Sequence, residues 1–359
     1  MSQPSDIQAS PFDAIDRLVT IDVPRRGVIG LIYDAAREEA GEPLCLRAAR
    51  LLHSNLAAGG VVCIATGWLD RPHVSRSVAE SDGPPGAAAL ARALNIGFGA
   101  TPFIFVEEEI VAPTMAVVHG VGLRCVAPEE ALRQASGSGA LHAASVIALP
   151  KDRQEADVMA EEFLTRFDAR AFIAIEKGGQ NRRGRIRTSR AADTTDALAK
   201  ADALLDAGQK RGIASIGIGD GGNEIGMGRI RERLAGKLRN SIGDDGTSDD
   251  GVLPDGRTDA LIAATVSNWG AYGLSAALAL MLSNPDVLHP VEVAESVLRA
   301  SAAAGFIDGV SGFVAPSADG LPLHVHLAVV RLLRTFVGDG VNTTAWRTHD
   351  DHAVAARRT

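Results

Sequence analysis

The amino-acid sequence predicts an α/β fold: a mostly parallel sheet flanked by helices, with an N-terminal helical layer. Three observations carry this expectation. Short apolar runs rich in β-branched residues recur at 61–66, 103–106, 144–149, 171–175, 214–218 and 261–266, several of them bounded by glycines or polar turns. Helical patterns alternate with them at 87–94, 155–167, 195–207, 223–234 and 271–282, as expected of parallel strands covered on both faces. Ahead of the first strand, Val28, Leu31, Ile32, Ala35 and Ala36 recur at helical spacing.

The helical layer covers 12–58, with a break near Pro24 and a second periodic stretch from 44 to 56. A short strand is expected from Val121 to Val126, and two closing helices at 291–303 and 323–336. One domain is expected over 12–340, divided into the helical layer and an α/β body at 59–340; residues 1–11 and 341–359 read as loose termini. Parallel strands joined by crossovers place their C-terminal ends along one edge, so the loops after the strands are where chemistry is sought.

Composition narrows the function. Hydrophobic residues make up 46% of 359, enough for a sizeable core, but aromatics are only 4%, so aliphatic side chains must fill it. A net charge of −8 argues against a nucleic-acid partner, which needs clustered Lys and Arg, and is compatible with binding metal cations. Cys45, Cys63 and Cys125 are far apart, with no CxxC pair, and read as small buried hydrophobes. No apolar run approaches the roughly 20 residues that cross a bilayer, so no membrane partner is expected, and the cytoplasm is the expected compartment. Oligomeric state is not legible.

Five loops bring polar residues to the predicted ligand edge. The segment from Gly217 to Gly228 follows a strand and reads as opening a helix; Gly217, Gly219 and Gly222 satisfy GxGxxG. Asp220 and Glu224 crowd the position of a dinucleotide pyrophosphate, so a divalent cation fits better, with Asn223 adding an amide oxygen. The bland alternative is that Asp220 caps the helix and Glu224 favours its dipole. The second loop carries Thr66-Gly67 and then Asp82 beside Pro84-Pro85, where Asp82 is a rigid acid or an N-terminal cap. The third places Glu176 at a strand end with Lys177 beside it, to pair with Glu176 or hold a substrate carboxylate, followed by Arg182, Arg183, Arg185, Arg187 and Arg190. The fourth, Ser267-Asn268, caps a helix whose amides could hold a carboxylate. The fifth, around Asp308, is an acid or an ordinary Asp-Gly turn. His324 and His326 lack zinc spacing and read as structural. The stretch 240–259, with six aspartates and four glycines, fails the EF-hand pattern and reads as a mobile, solvated loop.

Taken together, Gly217 to Gly228, Thr66-Gly67, Glu80 to Gly86, Ile175-Glu176, Ser267 to Gly270 and Asp308 to Gly312 resemble the C-terminal domain of the D-glutamate cyclase family over about 12–340. The stretch from Gly219 to Gly228 is its most specific motif. The resemblance implies an α/β domain with an acidic, metal-binding pocket that includes Asp82, Glu176, Asp220, Asn223 and Glu224. The implied reaction is cyclisation of D-glutamate to 5-oxo-D-proline with loss of water, a hydro-lyase activity on a small acidic metabolite. Asp82, Glu176, Asp220 and Glu224 are the expected catalytic residues and ligands of Mg²⁺ or Mn²⁺, with Ca²⁺ sharing the same oxygen preference. Thr66, Gly67, Lys177, Asn223, Ser267, Asn268 and Asp308 are the expected substrate contacts. Competing readings are a metal-dependent phosphohydrolase, a dinucleotide-binding oxidoreductase resting on GxGxxG alone, and a non-catalytic binder of acidic metabolites.

Overall fold

A computed structural model describes residues 10–56, 60–135 and 141–338. The termini expected to be loose lie outside these residues, except that Ser10 and Pro11 begin the first helix.

Seven strands form one parallel sheet. They are β1 (Val61–Thr66), β2 (Thr101–Val106), β3 (Arg124–Cys125), β4 (Ala143–Ala148), β5 (Ala169–Ile175), β6 (Ala214–Gly219) and β7 (Ala260–Ala263), in the spatial order β3-β4-β2-β1-β5-β6-β7. The chain builds outward from β1 to one edge, then returns to lay β5, β6 and β7 on its other side. β1 and β5 therefore flank the point where the strand order reverses, and the crevice outside their C-terminal ends is the favoured ligand position in such sheets.

Alternation along β1 shows why its run is apolar from Val61 to Ala65. Val62 and Ile64 join a core with the helices α1 (Ser10–Val19), α2 (Ile29–Ala40), α3 (Leu44–Asn55), α4 (Pro84–Phe98) and α10 (Ser267–Met281). Val61, Cys63 and Ala65 face a second core with α7 (Arg153–Arg166) and α8 (Asp202–Lys210). Successive side chains point to opposite faces, and both faces are covered. Phe103, Phe105, Phe163 and Phe167 cluster in the second core, with edge-on and tilted ring contacts. The three cysteines are free and buried. The N-terminal helices share the first core with α11 (Val291–Ala303) and α12 (Leu323–Val337). No helix among the described residues is long and apolar enough to cross a membrane.

Several elements differ from the sequence expectation. The predicted strand 121–126 shrinks to β3, preceded by α5 (Val111–Gly120) and followed by α6 (Pro128–Ala135). The predicted helix 195–207 begins only at Asp202. Lys200 Nζ takes the carbonyls of Thr195 and Leu198, and its backbone N–H goes to Pro150 O (3.0 Å), so residues 195–201 follow side-chain bonds instead of a helical ladder. The predicted helix 223–234 is replaced by an irregular segment and a single turn, α9 (Arg231–Leu234). The strand expected to reach 266 ends at Ala263, because Thr265 N turns to Val19 O (2.9 Å) and its hydroxyl to Ile21 O (2.9 Å).

The Asp-rich stretch 240–259 is neither solvated throughout nor unpartnered. Asp250, Val252 and Leu253 are buried. Arg187 Nη2 donates to both oxygens of Asp250 at 3.0 Å. The fully buried Arg231 donates to Leu253 O (2.6 Å) and Asp249 Oδ1 (3.2 Å). Arg182 reaches Asp255 and Asp249, and Arg183 reaches Asp245. The basic run and the acidic loop are two halves of one ion-pair network.

Candidate active site

The site is assembled from strand ends. After β6, the chain does not open a helix. Glu224 folds back and accepts the N–H groups of Asp220 (3.0 Å), Gly221 (2.6 Å) and Gly222 (2.8 Å). Its backbone bridges to Gly178, while Ile225 N donates to Lys177 O (2.9 Å) and Gly226 N to Gly256 O (3.1 Å). Gly219 is required here, since a Cβ would lie 2.7 Å from the Glu224 carboxyl. Two earlier alternatives fall with this geometry. Asp220 does not cap a helix, and the amides a pyrophosphate would need are already held by a carboxylate, which removes the dinucleotide reading.

Asp82 occupies a second set of amides. Its Oδ2 accepts Ser267 N (2.8 Å), and its Oδ1 accepts Asn268 N (2.8 Å) and Gly83 N (3.0 Å). The N-terminus of α10, expected to receive a substrate carboxylate, thus receives the protein's own. Asn268 Oδ1 accepts Gly83 N (3.1 Å) and Gly86 N (2.6 Å), and its Nδ2 donates to Ser81 O (3.0 Å). Asn268 therefore ties the starts of α4 and α10 together instead of facing a ligand. Gly83 (φ 99°) sits at this junction, where a Cβ would meet Thr66 Oγ1 at 2.8 Å and Glu176 Cβ at 2.9 Å.

Glu176, just past β5, has φ 45°, an uncommon conformation for a residue with a side chain. Its N–H continues the ladder to Ile218 O (3.1 Å), and its Oε2 accepts the Ser267 hydroxyl (2.5 Å). Ser267 thus orients Glu176. Lys177 points the other way. It is fully buried, paired with Glu107 (2.5 Å), and donates to Thr66 O (3.3 Å) and Gly67 O (3.1 Å). It pairs with Glu107 and not with Glu176, and it holds the end of β1 through the Thr66 and Gly67 carbonyls. Asn223 Nδ2 donates to Arg187 O (3.0 Å), linking the site to the arginine run. Asp308 is the Asp-Gly turn of the bland reading. It accepts Val310 N, Ser311 N and Gly320 N, and although burial opposes its charge, these bonds hold its carboxyl below the usual range. Through Gly320 N it fixes the β8–β9 hairpin (Ser317–Ala318 and Leu321–Pro322), whose turn carries Asp319.

Three residues of the site escape the sequence reading: Arg26, Glu80 and Asp319. Carboxylate oxygens of Asp82, Asp220 and Asp319 lie within 4.8 Å of one another, and so do those of Glu176, Asp220 and Glu224. Asp220 belongs to both sets. The four expected acids are thereby brought together, though as two triads joined at Asp220 and not around one point. Arg26 Nη2 is 2.7 Å from Asp220 Oδ2 and 3.5 Å from Asp319 Oδ2, and is the cation that pairs with this group among the described residues. Glu80 has a detectable signal: it is a second acid two residues before Asp82, and its backbone bridges to Ile307 next to the Asp308 turn. Asp319-Gly320 is a second Asp-Gly turn. Nothing local marks Arg26.

The electrostatics follow from this crowding. Burial, then Asp220, pushes Asp82 up to about 7, and the same two causes push Glu224 to about 7 against its backbone hydrogen bonds. Burial and the surrounding acids raise Glu80, Glu176 and Asp319 well above the carboxylate range. His326, by contrast, is structural: it is buried, accepts Trp269 Nε1 (2.9 Å), and is lowered to about 4 chiefly by burial.

A divalent metal fits these donors. They are hard oxygens, with no Cys or His in either triad, and the charge they would carry exceeds what Arg26 balances. Thr66 Oγ1, buried beside Gly83 and Glu176, has no hydrogen-bond partner among the described residues, which leaves a further oxygen at the same edge.

Fold and cleft define an α/β protein with a buried acidic site at the topological switch of a parallel sheet. Within that class the chain belongs to the D-glutamate cyclase-like, C-terminal family, whose model matches residues 15–334. It is similar to the human protein described as D-glutamate cyclase, mitochondrial, with 27% identity over 278 residues, 71% of this chain and 42% of that protein. The chain thus spans less than half the length of this relative.

Proposed function

We propose that this chain is a lyase that cyclises D-glutamate to 5-oxo-D-proline with release of water, using a divalent cation held in the acidic cleft. The observation that carries the reading is the convergence of Asp82, Glu176, Asp220, Glu224 and Asp319 at the strand ends, with Arg26 as their paired cation. The name of the human relative, D-glutamate cyclase, suggests the reaction.

Asp82, Asp220 and Asp319 would hold the ion, since their carboxylate oxygens lie within 4.8 Å of one another and two of them already take a cation, Arg26. When bound, the cation supplies polarisation of a substrate carboxyl oxygen. Glu176 and Glu224 are left for proton movement. The substrate α-ammonium must lose protons before its nitrogen can attack the γ-carboxyl carbon. Glu224, near 7, accepts a proton there at neutral pH. Glu176, whose raised affinity keeps it protonated, gives its proton to the departing oxygen. Glu224 passes its proton to the same oxygen and the second nitrogen proton replaces the one Glu176 gave, so the C–N bond forms, one C–O bond breaks, the oxygen leaves as water and both glutamates return to their starting states. Ser267 and the three loop amides hold the two carboxyls in place through this transfer, which is the positioning part of the rate enhancement.

Incubation of the purified chain and Mn²⁺ with D- or L-glutamate, followed by chiral detection of 5-oxoproline, tests the reading. Product from D-glutamate is expected. No product from either enantiomer with Mn²⁺ or Mg²⁺ would reject it for this chain.

A further inference from the structure

The cleft that is proposed to take a dicarboxylate is itself crowded with carboxyls, and its expected anion hooks are occupied. Asp82 holds the amides of Ser267 and Asn268, Glu224 holds those of Asp220, Gly221 and Gly222, and Lys177 is committed to Glu107. Arg26 remains. It reaches the site from the connection between α1 and α2, far from the sheet in sequence, and its placement is built. Asp22 accepts Arg26 N (2.9 Å) and Gly27 N (2.7 Å), folding the connection into a turn with Arg25 at φ 57°. The bonds from Thr265 to Val19 O and Ile21 O fasten the end of α1 and the residues after it to the end of β7. The guanidinium lies across Asp220, Asp319 and the Thr265 carbonyl, and 29% of its side chain is still exposed to solvent.

We propose that Arg26 is an exchangeable counter-ion and the substrate-carboxylate receptor of the cleft: a divalent cation displaces it from Asp220, and the freed guanidinium pairs with the substrate. The inference rests on the cation-dependent reading above. Arg26 and a divalent ion would both draw on the carboxylates of Asp220 and Asp319, and their like charges oppose one another there. Once Asp220 turns to the ion, a guanidinium held at the rim by the Asp22 turn needs a new planar partner with two oxygens, which a carboxylate provides. Substrate binding would then follow cation binding, and a site without its ion would keep acidic metabolites out.

The test uses the whole chain with Mn²⁺ and D-glutamate as probes. Modification of Arg26 by phenylglyoxal, followed by peptide mass spectrometry, reads its freedom directly. Mn²⁺ should increase labelling several-fold, and D-glutamate added to the Mn²⁺-loaded protein should reverse the increase. Calorimetry should show Arg26→Gln binding Mn²⁺ about tenfold more tightly than the parent, through loss of the competitor and of its charge. In turnover assays the same variant should raise KM by more than it lowers kcat, and Arg26→Lys should recover part of the KM loss. Should Arg26→Gln fail to fold, the labelling of the parent chain still decides. Labelling unchanged by Mn²⁺ in a protein that calorimetry shows to be loaded would overturn the exchange alone. Labelling insensitive to D-glutamate during active turnover would overturn the receptor role. Absence of Mn²⁺ binding to the parent would instead remove the cation reading beneath it.

Discussion

The molecule holds two concentrations of acid that look alike in sequence and are opposite in physics. In the stretch 240–259, aspartates 245, 249, 250 and 255 each meet an arginine from 182–187 or Arg231. In the cleft, six carboxyls from four separate segments gather, and Arg26 pairs with two of them, Asp220 and Asp319. The first set is neutralised by its own chain. The second keeps its charge demand, which shows as proton affinities displaced upward by burial and mutual repulsion. Acid density therefore says little about ligand binding; the supply of basic partners decides it.

The sharpest way to break this contrast is Asp220→Asn. Asp220 is shared by both triads, so its loss should remove Mn²⁺ binding and reduce turnover by at least about a thousandfold, the scale expected when an essential electrostatic group is removed. Circular dichroism should show the fold retained. Turnover near the parent rate would end the assignment.

Next in size is the buried pair beneath the site. Lys177→Met leaves Glu107 charged and buried without its partner, which costs on the order of 3–5 kcal/mol. The loss should appear as a lower urea midpoint. The double variant Lys177→Met with Glu107→Leu should recover part of it, because no lone charge remains.

pH sharpens the comparison further. Asp82 and Glu224 bind protons more tightly in the folded chain, near 7, than their ordinary 3.8 and 4.5. For such groups stability is greatest below the ordinary values and falls as pH rises towards 7, because the unfolded chain releases its protons first. The metal-free protein should therefore melt several degrees lower at pH 8 than at pH 5.5. Saturating Mn²⁺ should remove most of the difference at pH 8. A melting temperature that climbs with pH over this range in metal-free buffer would contradict the crowded cleft.

How much of this could be read from residues alone follows from the range of the forces involved. Strands such as 61–66 were legible because both faces are covered and every side chain before the terminal Thr66 is apolar. Helix α5 was not, because Val111 to Val118 is nearly apolar all round and leaves no stripe to count. Glu176, Asp220 and Glu224 were legible as acids in the loops after strands, where a core cannot hold them, and Asp82 as an acid held beside Pro84-Pro85 at the start of a helix. Their partners were not. Glu224 reads as a helical residue until its side chain is seen on three amides, and Lys177 reads as a neighbour of Glu176 until the backbone turns it towards Glu107. Arg26 meets Asp220 across 194 residues, and no local pattern encodes such a pairing.

The mildest predictions lie within the paired loop itself, and they separate burial from mere pairing. Asp250 is buried and receives Arg187 through two hydrogen bonds, so Asp250→Asn should cost about 1–3 kcal/mol of stability, as expected for a charge-assisted bond. Asp255, more than half exposed, meets an Arg182 that also has Asp249 and Glu232 at hand. Its replacement by Asn should change stability by no more than about 0.5 kcal/mol, since solvent and salt screen such a pair and the arginine keeps other acids. Both variants should keep the parent's Mn²⁺ affinity. Weaker Mn²⁺ binding in either would mean that the loop's acids contribute to the cleft, and that the two concentrations of acid are electrostatically one.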